Sequence, residues 1–186
     1  MKQDGRECKD AGMNNAEKQT YAKSELTRAL VALLETKELS EITVSELSRE
    51  AQVSRVSFYR NFAGMEDVLE QRARQLLGGW YEANRVWLRE DEARTGRNDL
   101  LLAELFGHMR DNSDFYLLLH RRGLLRLVVS SLREILMPDE PATNFEAYLK
   151  AFAVHGMYGW IDEWMSRGMA ESAEEMEALL RARTIG

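Results

Sequence analysis

TVSELSREAQVSRVSFYRNF, residues 43–62, holds two short helix signatures on either side of one tight turn. Thr43 and Glu46 stand at the spacing of a capping box, in which two side chains satisfy each other's backbone donors. The helix that opens there turns Leu47 and Ala51 inward. A turn follows at Gln52 and Val53, and Ser54 is placed to cap a second helix that ends near Asn61. Phe58 and Phe62 are four residues apart and share one face, which can dock onto Leu47, Ala51 and a preceding helix. The opposite face shows Arg55, Val56, Ser57, Tyr59 and Arg60. It offers charge, hydroxyls, one apolar side chain and a phenol but no acid, which suits a phosphate-lined groove. Two short helices joined by a tight turn and braced by a longer one describe a helix-turn-helix.

Outward from this segment the chain reads as all-α. Neither Gly nor Pro occurs between Met13 and Ala63, and the only prolines are Pro138 and Pro141. Strand-like alternation is absent, while Leu, Ala, Glu, Arg and Met abound. A first helix is expected from Glu17 to Lys37, with Leu26, Leu30, Leu33 and Leu34 on one face. A fourth helix should start at Gly64, with Glu66 and Asp67 in its first turn, and run to about Arg89. The polar stretch from Asp91 to Asn98 reads as a loop. Helices follow at 99–111, 113–121 and 123–136. The Met137 to Pro141 segment breaks the chain, and helices at 143–167 and 172–183 complete about nine. Gly168 is expected to end the first of these in a left-handed conformation. The expected organisation is a disordered tail at 1–16, a helix-turn-helix domain at 17–63 and a helical domain at 64–186.

Composition limits the function. The 186 residues carry a net charge of -6, and residues 1–70 hold 10 Lys and Arg against 13 Asp and Glu. Long-range steering to nucleic acid is therefore weak, and contact must come from a few placed groups. Cys8 is the single cysteine, in a polar tail, so no internal disulfide forms. No stretch reaches the ~20 apolar residues of a membrane span, and the polar start lacks a signal-peptide pattern, so a cytoplasmic protein is expected. His108, His120 and His155 are scattered, with no metal-ligand spacing, so no metal or other cofactor is expected. No phosphate-binding Gly loop, nucleophile elbow or paired-carboxylate arrangement asks for an enzyme.

The segment ITVSELSREAQVSRVSFYRNFAGMEDVL resembles the DNA-binding part of the tetracycline-repressor (TetR) family. The likeness lies in the Thr43-Val44 opening, the Val53-Ser54 turn, the Phe58-Tyr59 pair, Phe62 after Arg60, and the acidic start of the next helix. It implies double-stranded DNA as partner, with Thr43 on phosphate, Ser54 capping the reading helix, and Arg55, Val56 and Ser57 at base edges or phosphates. Tyr59 would give its hydroxyl to a phosphate, and Arg60 and Asn61 complete the set. Arg pairs well with guanine O6 and N7, and Val56 suits a thymine methyl. Three positions depart from the family pattern. Gln52 stands where the family usually has Gly, at a cost of about 1–2 kcal/mol if left-handed. Asn61 replaces a frequent His. Met65 replaces a frequent phosphate-binding Lys, which should flatten the salt dependence of binding by about one charge.

For the rest of the chain the resemblance implies a ligand-binding and dimerisation domain. On the 143–167 helix, Phe145, Leu149, Phe152, Gly156, Gly159 and Trp160 form a stripe where a partner helix can approach, so a homodimer through this helix and the last one is expected. Trp80, Phe106, Met109 and Tyr116 are the candidates to line an effector pocket. The expected activity is that of a repressor released from a palindromic operator by a small molecule. The alternative is a repressor-like coactivator that has lost DNA binding, towards which the overall acidity, Gln52 and Met65 lean.

Overall fold

The computed structural model describes residues 14–95, 99–136 and 143–182. Among them are nine α-helices and no strand: α1 (Asn15–Leu34), α2 (Val44–Glu50), α3 (Arg55–Asn61), α4 (Met65–Thr95), α5 (Asp99–Asp111), α6 (Ser113–Arg121), α7 (Leu125–Leu136), α8 (Asn144–Ser166) and α9 (Ala173–Ala182). The all-helical reading holds. Cys8 and the Pro138 to Pro141 break lie outside the described residues. So does the expected tail, apart from Asn14, Asn15 and Ala16, where α1 already begins under an Asn14–Glu17 capping box.

Two compact units divide between Arg72 and Ala73, inside α4. In the first unit α1 packs against α2 and α3, and α2 against α3. The α1 face that meets them is Leu26, Ala29, Leu30 and Leu34, each fully buried; Leu33 is only half-buried, so the stripe is narrower than its leucines suggest. Val68 and Leu69 from the start of α4 are fully buried as well.

In the second unit α5 packs on α6 and α9, while α6, α7 and α8 pack on one another. Phe106 sits edge-on to Trp164 at 5.0 Å, and both are buried. The link between α8 and α9 turns through two left-handed residues, Gly168 (φ 70°) and Met169 (φ 56°). Gly168 was legible in the sequence; Met169 was not. Arg110 of α5 holds this link. Its Nη2 donates to the carbonyls of Met169 (2.6 Å) and Glu171, and its guanidinium lies 5.6 Å from the Trp164 ring centroid.

The end of α4 lies beyond the expected Arg89. Residues 91–95 continue α4 instead of forming a loop. Glu90, Asp91, Glu92 and Arg94 are polar and Ala93 is a strong helix former; none is a helix breaker, and polarity alone does not end a helix.

Candidate nucleic-acid interface

Helix α2 opens on Thr43, whose Oγ1 accepts the Glu46 N–H at 3.2 Å. The return half of the expected capping box is replaced. The Glu46 carboxylate accepts from Lys37 Nζ at 2.5 Å, and that hydrogen bond holds its pKa below the ordinary carboxylate value. Lys37 thereby ties the end of α1 to the start of α2. Leu47 and Ala51 are buried beneath.

The turn is tight because Gln52 adopts φ 53° and the Val53 N–H reaches the Ser48 carbonyl at 3.0 Å. A β-carbon in this conformation costs about 1–2 kcal/mol. Gln52→Gly removes that strain but adds freedom to the unfolded chain. The expected outcome is a net gain of roughly 0.5–1 kcal/mol, read as a higher thermal midpoint. An unchanged or lower midpoint would show the turn to be unstrained.

Ser54 caps α3 as expected. Its Oγ accepts the Ser57 N–H at 3.1 Å and donates to Ser57 Oγ at 3.1 Å. Phe58 is fully buried and Phe62 nearly so, with ring centroids 5.9 Å apart. Anchoring that face leaves Val56 and Tyr59 each 67 % exposed, with Arg55 and Arg60 exposed beside them. Tyr59 meets Phe58 edge-on at 5.3 Å, which limits the directions its phenol can take. Arg55 Nη1 lies 3.4 Å from Ser45 Oγ, a long bond that leaves the guanidinium easy to redirect. Thr43, exposed at the mouth of α2, still has its hydroxyl hydrogen to donate.

Seven of the eight expected residues thus gather on or beside one surface: Thr43, Ser54, Arg55, Val56, Ser57, Tyr59 and Arg60. Asn61 does not join them. It is half-buried, and its Nδ2 donates to the Ser57 carbonyl at 2.7 Å. Ser45 is an addition that sequence reasoning missed. Its signal was its place two residues after the Thr43 cap, on the exposed side of the first turn.

The second unit separates core from surface. Trp80, Phe106, Met109 and Tyr116 are all buried. Burial pushes the His108 imidazole below its ordinary pKa, with Asp111 opposing; this ring lies 3.0 Å from Tyr116 Oη and stacks at 5.9 Å from Trp80. A cavity of about 370 Å³ opens elsewhere, between α8 and α9, over Trp160, Trp164 and Met176, with Glu163, Arg167 and Glu171 at its polar side. None of the four expected pocket residues lines it; Gly159 and Trp160 of the expected interface do. The first half of α8 is bare: Phe145, Tyr148 and Phe152 are 71 %, 78 % and 75 % exposed. His120 Nε2 meets Asp162 at 3.1 Å, and His155 Nδ1 meets its own helix at the Ala151 carbonyl. Among the described residues no cluster of His, Cys, Asp and Glu could hold a metal, and no helix is long and apolar enough to cross a membrane.

Residues 26–71 match the family model described as bacterial regulatory proteins, tetR family. No curated protein matches the chain. The match covers the helix-turn-helix just described, from Leu26 on α1 to Gln71 on α4, so this part of the chain is similar to the DNA-binding domain of that family of transcription regulators.

Proposed function

We propose that the protein is a cytoplasmic homodimeric repressor that sets two copies of α3 into successive major grooves of a palindromic operator and is released by a small molecule. The observation that carries this reading is the acid-free exposed face of α3, with Arg55, Val56, Tyr59 and Arg60 held outward by buried Phe58 and Phe62. In the major groove Arg55 would meet base edges, and Thr43, Tyr59 and Arg60 would meet phosphates. The bare aromatic half of α8 supports pairing with a second copy, because contiguous apolar surface of this kind marks an interface. Paired subunits place their reading heads about one helical turn apart or a multiple of it.

Release by an effector requires a ligand with different affinity for two arrangements of the heads. The buried Trp80 indole N–H, which has no hydrogen-bond partner among the described residues, supports a polar ligand group meeting it, in a site that Phe106, Met109 and Tyr116 would help to line.

A mobility shift with duplexes recovered from a randomised library tests the reading. Retardation at low salt is expected; none at all would favour a coactivator that has lost DNA binding. Arg55→Ala should weaken specific binding by roughly 1–3 kcal/mol. Unchanged affinity for the recovered duplex would remove Arg55 from the base-reading set.

A further inference from the structure

The last residue of the reading helix is gripped by one side-chain amide. Gln71, on the second turn of α4, donates through Nε2 to the Asn61 carbonyl at 3.2 Å and to both Asp67 carboxylate oxygens at 3.2 Å. Its Oε1 accepts from Lys23 Nζ of α1 at 3.0 Å. Asp67 Oδ2 in turn accepts the Ala63 N–H at 2.8 Å, so it fixes the link between α3 and α4. The Lys23 ammonium lies 5.9 Å from the Phe62 ring centroid. One part-buried amide therefore joins α1, α3 and α4.

Helix α3 has seven residues, too few to be stable alone. Its direction depends on what holds its two ends. The leading end is fixed locally, by the Val53 bond to Ser48 and the Ser54 cap. At the trailing end the last carbonyls have no partner within the helix, and that of Asn61 goes to Gln71. Burial of Phe58 and Phe62 keeps α3 against the core, but apolar contact is non-directional. The hydrogen bond to Asn61 is directional, and it fixes rotation of the helix about those two rings.

We propose that Gln71 is a positioning residue for DNA reading: its amide sets the angle of α3 against α1 and α4, and with it the discrimination between operator and random duplex. Non-specific binding rests on charge and tolerates a small tilt of the helix. Bonds to base edges are directional and do not. Loss of the amide therefore separates the two affinities, which loss of the fold would not do.

The test uses the full chain, a duplex recovered by the wild-type protein from a randomised library, and a random duplex of equal length. Gln71→Leu keeps the bulk and removes every bond of the amide. Gln71→Glu keeps an acceptor for Lys23 but has no donor for the Asn61 carbonyl until it is protonated. Both variants are expected to bind the recovered duplex roughly five- to tenfold more weakly at neutral pH and the random duplex as the wild type does. Gln71→Glu alone should close part of the gap to the wild type as pH falls towards about 5. Amide exchange should quicken at residues 57–62 and stay unchanged at 44–50. Equal losses on both duplexes, or melting that broadens in both variants, would make Gln71 a residue of the fold only. Undiminished discrimination would remove the role altogether. A wild-type protein that recovers no duplex would instead count against its DNA reading. The exchange measurement then decides the joint by itself, and unchanged protection at 57–62 overturns it.

Discussion

Phe152→Asp is expected to leave a folded monomer that holds its operator at least about a hundredfold less tightly. Phe152 is 75 % exposed in the single chain, so the change touches nothing that the chain needs to fold. In a two-fold dimer the same position would be buried on both copies. Each copy would lose about 1.5–3 kcal/mol of aromatic burial and gain an unpaired carboxylate in an apolar contact, which costs several kcal/mol more. In the proposed dimer, parting of the subunits would deprive the second reading head of the benefit of the first. With so few cations per head, one half-site alone binds weakly. Sedimentation at micromolar concentration and a mobility shift measure the two effects. A variant that sediments as the wild type does would count against an interface on this half of α8.

Phe58→Ala should cost about 3–5 kcal/mol of stability, the usual penalty for deleting a fully buried aromatic ring. Phe58 is 0 % exposed and contacts the rings of both Tyr59 and Phe62. A helix-turn-helix unit of this size has little stability to spare. The expected result is a thermal transition shifted down by tens of degrees or a first unit that no longer folds, with DNA binding lost in either case. Far-ultraviolet circular dichroism against temperature is the measurement. A transition within a few degrees of the wild type would show that the space left by the ring collapses, and that Phe62 and Leu47 suffice to hold α3.

What the sequence disclosed was local. The Thr43 and Ser54 caps, the four-residue spacing of Phe58 and Phe62 and the left-handed Gln52 each depend on neighbours within a turn or two, so short spacing carries them. Interactions that cross elements were hidden. Glu46 looked like the closing half of a capping box, yet a cation nine residues earlier competes for it and wins, because a charge-assisted bond is stronger than a return to a backbone donor. Asn61 came into the reading set through the family resemblance, but at the helix end its half-buried amide donates to the Ser57 carbonyl. The partnership of Lys23 with Gln71 spans 48 residues, beyond any periodicity argument. The polar stretch at 91–95 reads as a loop, although charged residues continue helices readily. Residue type could not separate packed core from cavity wall in the second unit, since the same aromatic side chains serve both.

The Arg110 bond to the α8–α9 link also bears on quality control. Its acceptors, the Met169 and Glu171 carbonyls, are made 59 and 61 residues after it. Until the ribosome has delivered that stretch, a cation meant for a half-buried place lacks its two carbonyl acceptors. A product that stops short of Glu171, whether from stalled synthesis or from clipping, keeps an unmatched charge where the unit should close. Such a fragment would be a ready substrate for proteases, and full-length subunits would be favoured for assembly before any DNA is met.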